Sequence, residues 1–398
     1  MENKMTGGLE DSRLTEIEQL LASQNPTELT EARKLTRMIL DEDNDSLLLT
    51  FLKRQLLMSI IASSKRQGDP ILQLQREFEI ILWARNKAIE SREDPEYAEM
   101  LMWLITAAGK EKQRKLLGRD SVFVEEKLDK ATLTNNLLRL TQKIARNYDC
   151  YGNDFSATKF TRDIEINEIK NMLQSIDSRG VAIDLGCANG SMSRVLAEQG
   201  FEQVIGYDIS PDMIQVATEN KIHASENYKV HNLSLGIPEE DESIDCIIAN
   251  FGSASEITDE LLQEVNRILR KDGKAWLSFY NKDALAHKWW QPGQTSIEVV
   301  LNPIAHILEV PIIDNEKQTC EVYKIYAKPL SISEIEEQLQ GTDLVLGEVS
   351  SFPLLCTMQP PVFFNESARV KQALEFDMSH GKVAPYNGYY LNIILQKK

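Results

Sequence analysis

Ten residues, Val181-Ala182-Ile183-Asp184-Leu185-Gly186-Cys187-Ala188-Asn189-Gly190, constrain this chain more than any other stretch. The apolar run reads as a buried strand, and it empties into a turn of small residues. A helical pattern follows, then a second apolar run, Val204-Ile205-Gly206-Tyr207-Asp208, that ends in an acid. This is the layout of a βαβ unit holding an adenosine-type ligand. Glycines let the backbone approach the ligand, and the terminal acid accepts hydrogen bonds from ribose hydroxyls. Spacing narrows the ligand further. A dinucleotide fingerprint, G-x-G-x-x-G, opens its helix with a third glycine against a pyrophosphate. Here the residues run Asp184-x-Gly186-x-Ala188-x-Gly190, and Ser191-Met192-Ser193 follows with no further glycine. An acid two residues before the first glycine repels a pyrophosphate and suits a cationic ligand carrying an amino group.

The pattern resembles motif I of the class I S-adenosylmethionine-dependent methyltransferases, with Ala188 where many members carry the middle glycine. By that resemblance Asp184 lies near the methionine part of S-adenosyl-L-methionine, and Gly186, Ala188 and Gly190 form the loop against it. The likeness continues in order. Ile209-Ser210-Pro211-Asp212-Met213-Ile214 is similar to the end of the family's second strand and the start of the next helix. The resemblance implies that Asp208 binds the ribose while Ile209 and Met213 flank the adenine. Val230-His231-Asn232-Leu233 ends a third strand, where the family often has an acid or amide at the adenine edge, so Asn232 and Leu233 join the set. Residues 237–250 look like the family's passage into strand four, and 264–277 like its following helix, turn and fifth strand, with Lys274 in place of a second glycine. Asn250 and Phe251, ending strand four, are by the same likeness candidates to border the reacting atoms. The resemblance also implies that Tyr148 and Tyr151, ahead of the first family helix, fold over the cofactor.

Each piece has a plainer alternative. A glycine turn after a strand is often only a tight connection, Asp184 can cap a helix, and Asp208 can be an ordinary strand end. Several pieces in order, separated by helix-length stretches, carry the weight. The fold expected is α/β: a doubly wound, seven-stranded Rossmann-like sheet over residues 147–398, with lid insertions at about 283–330 and 351–385.

Residues 1–146 have a different texture. Their three prolines each follow Asn or Asp, at Asn25-Pro26, Asp69-Pro70 and Asp94-Pro95, a helix-start signal. Ile71, Leu74, Phe78, Ile81 and Leu82 share one helical face, as do Leu133, Leu137, Leu140 and Ile144. An all-helical N-terminal domain is expected there.

A formal net charge of -17 argues against a broad phosphate-binding surface, so nucleic acid is disfavoured as a partner. The most apolar helical stretch, 46–62, is interrupted by Lys53-Arg54-Gln55, which argues against a membrane span. The amino terminus lacks a signal-peptide design, and five cysteines without paired spacing read as reduced thiols of a cytoplasmic protein. Five scattered histidines support no metal site.

Methyl transfer from a sulfonium needs mostly positioning, so cofactor residues are legible and a catalytic base is not assigned. The leading reading is a methyltransferase acting on an O, N or C atom of a small molecule. Two others stay open. One is a protein or tRNA methyltransferase docking its substrate through the helical domain. The other is a cofactor-binding protein without transfer activity, with a protein partner or self-association through that domain.

Overall fold

The structure is a computed structural model describing residues 127–148, 156–284, 287–290, 298–314, 319–354 and 388–398, with a few isolated positions besides. The chain divides into two compact units, Met1–Val122 and Phe123–Lys398, and nearly all described residues belong to the second. The expected helices before residue 127, and Tyr151, lie outside the described residues.

Helix α1 spans Lys130–Ile144 and starts where the Asp129 side chain accepts from the Thr132 amide at 2.9 Å. Such a cap satisfies an amide that has no partner within the helix. Helix α2 covers Ser156–Gln174. An alternating run then follows: β1 Val181–Leu185, α3 Ser191–Glu198, β2 Gln203–Asp208, α4 Pro211–Glu219, β3 Glu226–Val230 and β4 Ile244–Ala249. A short α5, Ala254–Ile257, and α6, Leu261–Ile268, lead into the long β5, Leu269–Tyr280. Four strands come next: β6 Lys288–Trp290, β7 Glu298–Asn302, β8 Ile307–Asp314 and β9 Thr319–Tyr326. Helix α7, Ile332–Leu339, and strands β10, Leu344–Phe352, and β11, Tyr390–Lys397, complete the described chain.

The main sheet has seven strands in the order β10-β11-β5-β4-β1-β2-β3. The run from β3 to β5 is parallel, and β11 is antiparallel to both β5 and β10. The expected doubly wound, seven-stranded sheet is what the chain forms. Central strands of such a sheet are covered on both faces, which is why β4 is buried along its length and apolar except at Asp245, which pairs with Arg270. Alternation distributes the side chains. Ala182, Cys246 and Ile248 pack with Ile169 and Leu173 of α2 and Leu196 of α3, whereas Ile183, Ile247 and Ala249 pack with Val265 of α6 and Ile335 of α7. Lys274 costs the sheet little: it donates to Ser175 Oγ at 2.8 Å from an exposed position.

The first expected insertion is a four-stranded antiparallel sheet, β6-β7-β8-β9. Helix α1 lies on it: Asn136 Nδ2 donates to the Lys324 carbonyl at 2.9 Å, and Arg139 pairs with Glu321 at 2.8 Å. Leu140 of α1 shares one apolar cluster with Leu308, Ile325, Tyr280, Tyr389 and Tyr390. Thus α1, which the sequence expectation assigns to the helical domain, packs within the second unit and covers the carboxyl end of β5. Most of the second insertion, 355–374, lies outside the described residues.

Candidate cofactor and acceptor site

The turn after β1 is built from backbone. The amides of Gly186 and Cys187 both donate to the Tyr207 carbonyl, at 2.8 and 2.9 Å, which pins the turn to β2. Gly186, Ala188 and Gly190 all take left-handed conformations, with φ of 74°, 45° and 78°. Gly190 is required twice over, because a Cβ there would also come within 2.7 Å of Tyr228 Cζ. Ala188 holds its unusual conformation through its amide, which donates to Asp208 Oδ2 at 2.9 Å. Asp208 Oδ1 accepts from the Ser210 amide at 2.8 Å, and Ser210 in turn caps α4.

Two carboxylates flank this turn in different ways. Asp208 lines a cavity of about 590 Å³, within the range of roughly 300–1,000 Å³ common for small-molecule sites. Burial pushes its pKa up, while the Ser210 and Ala188 amides pull it back. Each of its oxygens keeps a further lone pair for a ligand. Asp184 is fully buried and does not line the cavity. Ser193 Oγ donates to its Oδ2 at 2.6 Å, Oδ1 has no protein partner, and burial pushes its pKa up to about 7. It braces the turn from behind, as does Gly190, which likewise stays off the cavity wall.

Nine of the twelve sequence-derived positions line the cavity together: Gly186, Ala188, Asp208, Ile209, Met213, Asn232, Leu233, Asn250 and Phe251. Asn232 accepts from the Ser234 amide and hydroxyl through Oδ1, which leaves its amide nitrogen without a protein acceptor among the described residues. His231 lines the cavity too, but its Nε2 is 2.9 Å from the Gly236 carbonyl, a structural contact. Phe251 has φ 57°, and its amide donates to Glu165 Oε1 at 2.9 Å; Trp276 Nε1 donates to the same oxygen at 3.1 Å. Gly252 follows with φ 84°, and a Cβ there would lie 2.8 Å from Tyr390 Cε1.

Several cavity residues were not legible as a site in the sequence. Arg162 of α2 lies 5.5 Å from the ring centroids of both Tyr148 and Phe251, and no carboxylate pairs with it among the described residues. Glu256 of α5 accepts from Tyr280 Oη at 3.0 Å, and burial pushes its pKa up to about 7, with Asp208 adding to the rise. Leu133, Leu137, Leu140 and Ile144 of α1 face Leu308, Val310 and Ile325 across the far part of the cavity. The periodic leucines of α1 were visible in sequence, but nothing local linked them to a strand nearly 200 residues away. Among the described residues, no group of three His, Cys, Asp or Glu side chains is arranged to hold a metal. No described helix is long and apolar enough to cross a membrane.

Sheet order, turn and cavity together define a nucleoside-binding α/β domain of the methyltransferase type. Residues 176–340 match a family model described as a methyltransferase domain. Over those residues the chain carries a methyltransferase domain of the class I S-adenosylmethionine-dependent type. It is similar to the demethylmenaquinone methyltransferase of Staphylococcus haemolyticus strain JCSC1435, 29% identical over 136 residues, covering 33% of this chain and 55% of that protein. The demethylmenaquinone methyltransferase of Staphylococcus aureus strain MRSA252 is 32% identical over 146 residues, covering 34% and 56%. The chain spans about half the length of the curated relatives it matches. Among solved structures, an S-adenosylmethionine-dependent methyltransferase from Mesorhizobium loti aligns with a TM-score of 0.40 at 18% identity, covering 59% of this chain and 98% of that one. The residues present fit the cofactor of this family: a floor with no side chain larger than a methyl at Gly186 and Ala188, an acid with free lone pairs at Asp208, and apolar Ile209 and Met213 beside it.

Proposed function

We propose that the protein transfers a methyl group from S-adenosyl-L-methionine to an O, N or C atom of a small molecule. One observation carries this reading. The loop-and-acid end of the cavity is continuous with an apolar chamber between α1 and β8–β9, so one continuous space offers a donor place and an acceptor place. The bound cofactor supplies an electrophilic methyl on a sulfonium. What remains for this chain is to bind, orient and keep water out. In this reading Asp208 accepts from the ribose hydroxyls, Ile209 and Met213 flank the adenine, and Asn232 and Leu233 meet its edge. Arg162, which forms no ion pair among the described residues, meets the carboxylate of the methionine part. Asn250, Phe251 and Gly252 lie at the end of β4, toward the reacting atoms.

The demethylmenaquinone methyltransferases are named for a small-molecule acceptor, which supports the same class here. The free thiols of Cys187, Cys246 and Cys320 fit a reducing, cytoplasmic setting. Residues upstream of Phe123 are proposed as the helical domain, with α1 serving the transferase unit.

Calorimetry with S-adenosylhomocysteine on the full chain tests the donor place, and transfer of label from methyl-labelled cofactor to the small-molecule fraction of a cell extract tests the acceptor. Binding with label in that fraction is expected. The absence of any binding heat overturns the reading, and label confined to protein or RNA overturns the acceptor class.

A further inference from the structure

We propose that Glu256 is the general base of the transfer, and that the acceptor it serves is a neutral apolar ring compound bearing a hydroxyl. This rests on the methyltransferase reading above and names the substrate class of that same site.

Glu256 follows the carboxyl end of β4, and its partner Tyr280 ends the adjacent β5. Tyr280 Oη donates to Oε1 at 3.0 Å, which orients the carboxylate. The other oxygen, Oε2, has no protein partner among the described residues, and Glu256 lines the cavity. The other cavity carboxylates are committed. Asp163 is paired with Lys159 at 2.7 Å, and Asp208 accepts two backbone amides. Glu165 holds Phe251 and Trp276 through Oε1, and its Oε2 is buried without a partner. Among the described residues, with Asp208 assigned to the ribose and Glu165 Oε2 shut in, Glu256 is the remaining cavity carboxylate that is oriented and keeps an oxygen open to a ligand.

The surroundings define what that ligand is. Tyr280 packs in the apolar cluster of Leu140, Leu308 and Ile325, with Phe251 and Val310 against it, so the group presented to Glu256 comes on an apolar body. The rings of Phe251 and Tyr390, 5.3 Å apart, and of Tyr280 and Tyr390, 5.5 Å apart, offer faces and edges to a ring. Asp208 raises the pKa of Glu256 by like charge, and an anionic acceptor meets the same repulsion. A neutral amine has a lone pair ready for attack, whereas a hydroxyl oxygen gains from losing its proton as it attacks. A buried base therefore serves a hydroxyl best. Other titratable or charged groups around this part of the cavity are Tyr148 after α1, Arg162 and Glu165 of α2, and Tyr389 and Tyr390 at β11.

In the step, Glu256 takes the hydroxyl proton while the oxygen lone pair forms the bond to the methyl carbon. The carbon–sulfur bonding pair stays on sulfur, so the sulfonium becomes a neutral thioether and the hydroxyl a methyl ether. Glu256 later returns the proton to water. Burial holds its carboxyl near pH 7, where it can both take and release a proton.

The test uses the full chain with 4-phenylphenol as acceptor probe and biphenyl as its hydroxyl-free match. Wild type and Glu256→Gln should bind S-adenosylhomocysteine within about twofold of each other, which shows the variant folded. With that product bound, wild type should bind 4-phenylphenol more tightly than biphenyl, and more tightly at pH 8 than at pH 6. Glu256→Gln should lose the pH dependence. With the methyl donor present, Glu256→Gln should lower kcat on 4-phenylphenol about 100-fold or more and lose the acidic limb near pH 7. Tyr280→Phe should lower kcat less than Glu256→Gln does and move that limb upward, since the carboxylate loses a donor. A chain that binds the product but neither binds nor methylates 4-phenylphenol overturns the acceptor class. Unchanged kcat and pH profile in Glu256→Gln overturn the base. Failure to bind the product at all overturns the methyltransferase reading, and this inference with it.

Discussion

The amide of Ala188 donates to Oδ2 of Asp208 at 2.9 Å, tying the turn after β1 to the end of β2. A left-handed non-glycine residue costs roughly 1–2 kcal/mol, and this bond to a charged acceptor offsets a similar amount. The same acid that the family likeness assigns to the ribose thus also shapes the loop.

Asp208→Ala should therefore do two things. It leaves the Ala188 and Ser210 amides without their acceptor, for a stability loss of about 1–3 kcal/mol. It also removes the ribose contacts, and affinity for S-adenosylhomocysteine should fall at least about tenfold. Calorimetry and thermal melts separate the two, and unchanged affinity would show that Asp208 is misassigned.

Gly190→Ala should lower the melting temperature, because the new methyl meets the Tyr228 ring and φ is 78°. An overpacking cost of about 1–3 kcal/mol is expected. Combining it with Tyr228→Ala should recover part of the loss. Strict additivity of the two substitutions in a double-mutant cycle would place the cost elsewhere.

Arg162→Ala should weaken product binding, and Arg162→Lys should restore part of it, if the guanidinium between Tyr148 and Phe251 meets the ligand carboxylate. Adenosine, which lacks that carboxylate, serves as the control ligand. Equal losses for adenosine and S-adenosylhomocysteine would assign Arg162 a packing role only.

Burial raises the carboxyls of Asp184, Glu165 and Glu256 to about 7. Between an unfolded value near 4 and that folded value, the native chain holds protons that the unfolded chain has released. Stability from these groups is therefore fully present at low pH and is lost as pH rises through about 4–7. Glu165→Gln keeps an oxygen for the Phe251 and Trp276 donors and carries no charge. It should raise the melting temperature relative to wild type more at pH 8 than at pH 5. An equal difference at both pH values would contradict the linkage.

Truncation separates the two units. A chain starting at Phe123 should bind S-adenosylhomocysteine like the full chain, since α1 stays in place. A chain starting at Asn147 loses the wall of Leu133, Leu137, Leu140 and Ile144 and should melt lower. Matching melts for both truncations would show that α1 contributes nothing to the transferase unit.

Much of the sheet was readable because its signals are local. The buried runs at 181–185 and 244–249, the small-residue turn and the acid at 208 each report backbone needs within a few residues. For the same reason most of the sequence-derived cofactor positions line one cavity: they sit at the carboxyl ends of adjacent parallel strands, where topology gathers them. Glu256 and Arg162 gave no such signal. One acid and one base among many charged residues become distinctive only when burial and neighbours single them out.

By itself the sequence determined the βαβ order, the nucleoside-type turn and the family, since these rest on spacing along the chain. Tertiary structure decided that Asp184 and Gly190 brace the turn from outside the cavity, and that α1 joins the four-stranded sheet as a wall of that cavity. It also decided that Glu256, oriented by Tyr280, lines that cavity. Those outcomes depend on which distant surfaces meet and exclude water, and no local spacing encodes that.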